Sequence, residues 1–177
     1  MKTAVAGIIG TTIIWSLTVN VAYSQPNISD TSVTLLMSKA TTFLNDNLLD
    51  SALAYCNLAI AAQGTNGKLL DFRGVVYTKM QKYSKAVRDF KAAITLDSAC
   101  YEAYNHLGIV YMCRNELDLA IECFNRSVEL NPAYAKAYYN RGIARLYQQD
   151  TNEALDDMKK AAELKHSEAI KFLHQIN

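Results

Sequence analysis

A phrase of seven positions occurs twice at a separation of 34 residues, as Ala103-Tyr104-x-x-x-Gly108-Ile109 and again as Ala137-Tyr138-x-x-x-Gly142-Ile143. An internal repeat constrains a fold more tightly than composition does, because like units must dock on one another in like ways. Laid against itself at that interval, the chain divides into units spanning 33–66, 67–100, 101–134 and 135–168. The eighth residue of each unit is small: Ala40, Gly74, Gly108, Gly142. So is the twentieth (Ala52, Ala86, Ala120, Ala154) and the twenty-seventh (Ala59, Ala93, Ser127, Ala161). Bulk keeps the same register, with Phe43, Tyr77, Tyr111 and then Arg145 at the eleventh position, and Cys56, Phe90, Phe124 and Met158 at the twenty-fourth.

Each unit is interrupted once by a short polar break: residues 45–47, 81–82, 114–116 and 148–150. On either side, apolar residues recur at three- and four-residue intervals, the period of an amphipathic helix. Each unit therefore predicts two helices joined by a tight turn. Small residues where antiparallel helices cross let the backbones approach, and the large side chain of the partner helix fills the space beside them. A glycine inside a helix costs about 1 kcal/mol against alanine, so three glycines at one register imply that close packing offsets that cost. Pro132 marks one helix end.

Helix–turn–helix units of this length, with these small and aromatic positions, resemble tetratricopeptide repeats. Tyr101–Tyr134 carries the resemblance most fully, through Tyr104, Leu107, Gly108, Tyr111, Ala120, Phe124 and Pro132. The last unit departs at Arg141, Arg145 and His166, and the first departs most, with Lys39 where the motif favours Leu and Ala40 where it favours Gly. The resemblance implies an all-α, right-handed α-solenoid of four repeats. Residues 169–177 follow, with Ile170, Phe172, Leu173 and Ile176 predicting a short helix that caps the apolar edge of the last repeat.

Residues 1–24 read as a secretory signal: Lys2, a largely apolar stretch from Ala4 to Val19, then Ala22 and Ser24 ahead of Gln25. The rival reading is an uncleaved signal anchor. Residues 25–32 read as a linker. The expected location is exported, periplasmic or secreted, or membrane-anchored if residues 1–24 are retained. Lys and Arg number 18 against 17 Asp and Glu, with no basic run, which argues against a nucleic-acid partner. His106, His166 and His174 are scattered, and no phosphate loop, HExxH or nucleophile elbow is present. No catalytic residue and no cofactor is expected. Cys56 takes a core position. Cys100, Cys113 and Cys123 match no zinc spacing, so no metal is expected. Cys113 and Cys123 fall too far apart along antiparallel helices for a disulfide.

By the resemblance, the second, fifth, ninth and twelfth residues of each unit face the concave side. The expected partner-binding groove is Val75, Asn105, Ile109, Met112, Lys136, Tyr139, Ile143 and Leu146, an apolar floor with a polar edge suited to an apolar or amphipathic protein segment. A competing reading has some of these residues packing between helices, or covered by Phe172 and Leu173. A carboxylate-clamp groove is not expected, because Asp71 stands where it would need Lys and Val75 where it would need Asn. The function implied is an exported adaptor or scaffold. A membrane-tethered assembly factor and a holdase-like chaperone are the alternatives.

Overall fold

The computed structural model describes residues 30–176; the segment read as a signal, 1–24, lies outside the described residues. All regular structure among them is helical. The helices are α1 (Asp30–Asn45), α2 (Leu49–Gln63), α3 (Gly67–Lys79), α4 (Tyr83–Leu96), α5 (Tyr101–Cys113), α6 (Leu117–Leu130), α7 (Ala135–Tyr147), α8 (Thr151–Glu163) and α9 (Ser167–Ile176). The last residues of the expected linker are thus helical. Val33, in the first turn of α1, is buried against Ala59 and Leu69.

Helices pack in sequence-adjacent pairs, α1 on α2 through α7 on α8, and each second helix packs on the first helix of the next unit. The first helix α5 also touches α3 and α7, more closely than any second helix touches another. First helices therefore line the inner face of an α-solenoid and second helices the outer face.

The small–large register is the packing contact itself. A Cβ on Gly74 would lie 2.6 Å from the Phe90 ring, and one on Gly108 2.6 Å from the Phe124 ring. Both rings are fully buried. In the first unit Ala40 shares a buried cluster with Cys56, so a slightly larger residue is matched by a smaller partner. In the fourth, Gly142 faces Met158, whose Cε would lie 3.0 Å from such a Cβ.

The departures from the motif are likewise matched. Lys39 lies over the Tyr55 ring at 5.6 Å. Arg73 forks onto Asp89 at 2.7 and 3.0 Å and donates to Asn57 at 3.1 Å. Arg141 repeats this on Asp157, at 2.9 and 2.6 Å, and on Asn125 at 2.7 Å. Arg145 bonds Asp157 and Glu153, both at 2.7 Å. The seventh residue of a unit thus meets the twenty-third, and both change together.

The turns repeat too. Asn47, Gln81, Asn115 and Gln149 all adopt the left-handed conformation, with φ of 59, 58, 61 and 68°. The next N–H reaches back to close the preceding helix: Leu48 to Phe43, Lys82 to Tyr77, Glu116 to Tyr111, Asp150 to Arg145. This is the six-to-one bond of a Schellman ending. Between units the chain turns differently, with Asp97 accepting from the Ala99 N–H and Asn131 from the Ala133 N–H. Lys165, which lacks such an acceptor, stands at that place after α8. It adopts the left-handed form (φ 65°), and His166 N–H closes onto the Ala161 carbonyl. The chain therefore turns sooner, and α9 begins at Ser167 rather than at 169.

Gly108→Ala is expected to destabilise the fold by about 1–3 kcal/mol, the cost of overpacking against a rigid ring, even after the gain in helix propensity. Gly142→Ala should cost less, because its nearest contact, at 3.0 Å, is the flexible end of Met158 and the Ala154 carbonyl and Asp157 Cβ stand back at 3.2 Å. Urea unfolding of the two variants measures the difference, and equal midpoints would refute this account of the register.

Candidate functional site

A concavity of about 980 Å³ opens where the early turns of α1, α3 and α5 meet the loop after α4. Val33, Met37 and Phe72 give it apolar walls. Lys68, Asp71, Asp97, Glu102 and His106 bring the charged and titratable groups. Asp71 Oδ1 lies 2.8 Å from His106 Nδ1, joining α3 to α5. One unit on, Asn140 Nδ2 donates to Asn105 Oδ1 at 2.8 Å, joining α5 to α7. The fifth residue of one unit thus bridges to the sixth of the next.

Two neighbouring groups are buried and lie within reach of the cleft carboxylates. Burial pushes the Cys100 thiol up, and the charges of Asp71, Glu102 and Asp97 push it the same way. Burial pushes the Tyr134 hydroxyl up to about 12, with Glu102 and Asp71 again adding to the effect. Against three carboxylates the lining offers Lys68 and the His106 ring. Cys56, Cys100, Cys113 and Cys123 are free thiols. Among the described residues no three His, Cys, Asp or Glu side chains converge as metal ligands.

None of the eight residues expected in the groove lines this cleft. Asn105 is buried, 2% exposed, and engaged by Asn140. Val75, Ile109 and Met112 are half-buried against the central core of Phe90, Val110 and Phe124. Tyr139, Ile143 and Leu146 pack on Met158, Ala161 and Ala169, together with Phe172 and Leu173 of α9. Lys136 is exposed. The contact of Tyr139, Ile143 and Leu146 with Phe172 and Leu173 is the competing arrangement that the sequence offers for this end. The second, fifth, ninth and twelfth positions omit the sixth, which brings Phe72 and His106 into the cleft. The signal for that position was present: Asp71 and His106 are complementary groups 35 residues apart.

Comparison with known proteins follows the same register. Family models described as tetratricopeptide repeat match residues 68–100, 101–134 and 123–156. No curated protein sequence matches the chain. Among solved structures, MamA is similar at 25% identity and a TM-score of 0.65, over 77% of this chain and 80% of that one. YrrB, described as a TPR protein with an unusual peptide-binding site, is similar at 23% identity and a TM-score of 0.66, over 82% of this chain and 76% of that one. The first TPR of Spaghetti (RPAP3), bound to the HSP90 peptide SRMEEVD, is similar at 19% identity and a TM-score of 0.63, over 70% and 98%.

The seat of α9 carries a pH dependence. The Tyr139 ring stacks on His166 at 4.4 Å, and His166 Nδ1 accepts from the Ala169 N–H at 3.4 Å. Burial lowers the His166 pKa below its ordinary 6.5, against a smaller upward pull from Glu168. A depressed histidine contributes stability that is complete above its unfolded value and is lost as pH falls through the folded one. The contacts of α9 should therefore loosen as pH falls below about 6.5. NMR of Phe172, Leu173 and Tyr139 across that range reads this, and His166→Gln should flatten the profile.

Proposed function

Because the chain belongs to the tetratricopeptide repeat family, we propose that it is an adaptor or scaffold that binds a segment of another protein and catalyses no reaction. The observation that carries this reading is the cleft between α1, α3 and α5, with apolar walls and an excess of carboxylates. A segment that presents an apolar side chain beside a lysine or arginine complements it: the apolar group meets Val33, Met37 and Phe72, and the cation meets Glu102 and Asp97. Helical and extended segments both use inner-face grooves of this kind. A longer segment would continue along α5 and α7, where Ile109, Met112, Tyr139 and Ile143 are only half-buried and Lys136 is exposed. An acidic peptide such as SRMEEVD would meet like charge at this end.

The same reading places the adaptor in an exported setting, resting on the signal-like pattern of residues 1–24. N-terminal sequencing of the mature chain checks it. A start at Gln25 fits a cleaved signal, whereas retention of Lys2 would make the protein a membrane-tethered assembly factor.

Peptides selected from a random display library against the full chain test the groove. They should share an apolar residue next to Lys or Arg, and Glu102→Lys with Met37→Glu should weaken them by about ten-fold or more. Unchanged affinity in a variant that keeps its helicity would sink the reading.

A further inference from the structure

The outer face shows a pattern that lapses once. Between the first and second units Arg73 fills the crevice between α2 and α4, held by Asn57 and Asp89. Between the third and fourth, Arg141 does the same between α6 and α8, held by Asn125 and Asp157. Between the second and third units those three places hold Lys91, Leu107 and Cys123. No arginine fork fills the crevice there, and a cavity of about 560 Å³ opens between α4 and α6. Its floor is Leu107, Tyr111 and Cys123, with Tyr104 and Leu119 at the sides.

The charges are also exchanged. In the two filled crevices a cation enters and a wall carboxylate receives it. In the open one the wall itself supplies the cation, and a thiol stands where the carboxylate would be. That thiol is pushed up to about 12 by burial and by the neighbouring Glu122 carboxylate, with Lys91 pulling the other way by less. Lys91 makes no ion pair among the described residues. Glu122 also lines the cavity, as do Arg126 and Glu129, which pair at 3.0 Å, and Arg126 bonds Tyr104 as well.

We infer that this crevice is a second binding site, which takes an acidic side chain of a partner protein, its carboxylate on Lys91 and its apolar stem over Leu107, Tyr111 and Cys123. The inference stands on the lapsed triad and not on the inner cleft. Apolar burial supplies the contact, and the exchanged charge selects the end group.

Three probes with one phenylpropyl body and different end carbons test it: phenylbutyrate, phenylbutanol and phenylbutylamine. Each is titrated into the full chain and read by NMR shifts at Lys91, Leu107 and Cys123. The carboxylate should bind at least about three-fold more tightly than the alcohol, and the amine most weakly. Glu122→Gln should strengthen the carboxylate. Lys91→Asn with Leu107→Arg and Cys123→Asp rebuilds a triad that the same chain already carries twice. This variant should keep its unfolding midpoint and lose the shifts. Should it fail to fold, the single exposed substitution Lys91→Glu must reverse the preference towards the amine. Glu102→Lys on the inner face should leave all of this unchanged. Absence of shifts in the crevice, equal binding of acid and amine, or undiminished binding to a folded triple variant would overturn the inference.

Discussion

The contact between the eighth and twenty-fourth residues of each unit sets how closely its two helices lie, and the rest of the solenoid is stacked on that distance. Phe90 and Phe124 occupy the space that a Cβ at Gly74 or Gly108 would need. The ring therefore comes to rest on bare backbone. The first unit reaches its own packing with Ala40 and Cys56, both buried to 1% exposure or less. What is kept is the fit of the pair, not either residue. Each unit then offers its second helix to the next unit in a like pose, and the first helices converge on the inner face, where the cleft lies.

That contact was legible in the sequence because it is local and recurs at one period. The turns were legible as polar breaks, though not their shared left-handed residue: Gln81 and Gln149 do not advertise that conformation as Asn47 and Asn115 do. Contacts between units were harder to read. Asp71 with His106, and Asn105 with Asn140, are spaced by 35 residues, one more than the repeat, so sliding the chain at 34 does not align them. Lys39 and Arg141 look like errors in the motif until Tyr55 and Asp157 are seen opposite. The expected groove follows a rule of position, and its competing reading, cover by Phe172 and Leu173, was legible beside it. What was not legible is that Lys165 shortens the last turn and so sets α9 on the cluster that holds Tyr139, Ile143 and Leu146.

Departures from the repeat thus fall into two kinds. Some are compensated within the fold, as Arg73 is by Asp89, and leave the packing closed. Others are left open. On the inner face the acidic group around Asp71 and Glu102 has one lysine to balance it within the cleft. On the outer face Lys91, Leu107 and Cys123 leave a crevice unfilled. The helix α5 borders both, with Glu102 and His106 turned inward and Tyr104, Leu107 and Tyr111 towards the outer crevice.

A solenoid can open such a crevice without losing the fold, and the reason is energetic. Its stability is close to a sum over units and their immediate interfaces. A largely buried arginine–carboxylate fork adds little to that sum, because desolvation consumes most of the attraction, and apolar residues in its place are often neutral or better. Asp89 and Asp157 are 2% and 3% exposed, so both forks are of this type. What a fork does supply is volume and orientation: it fills the space between two second helices. Exchanging it for Leu107 and Cys123 keeps an apolar interface and gives up the filling. Surface for recognition can therefore appear at a junction between units at small cost to stability, whereas opening the contact between Gly108 and Phe124 would remove the support on which the unit is built.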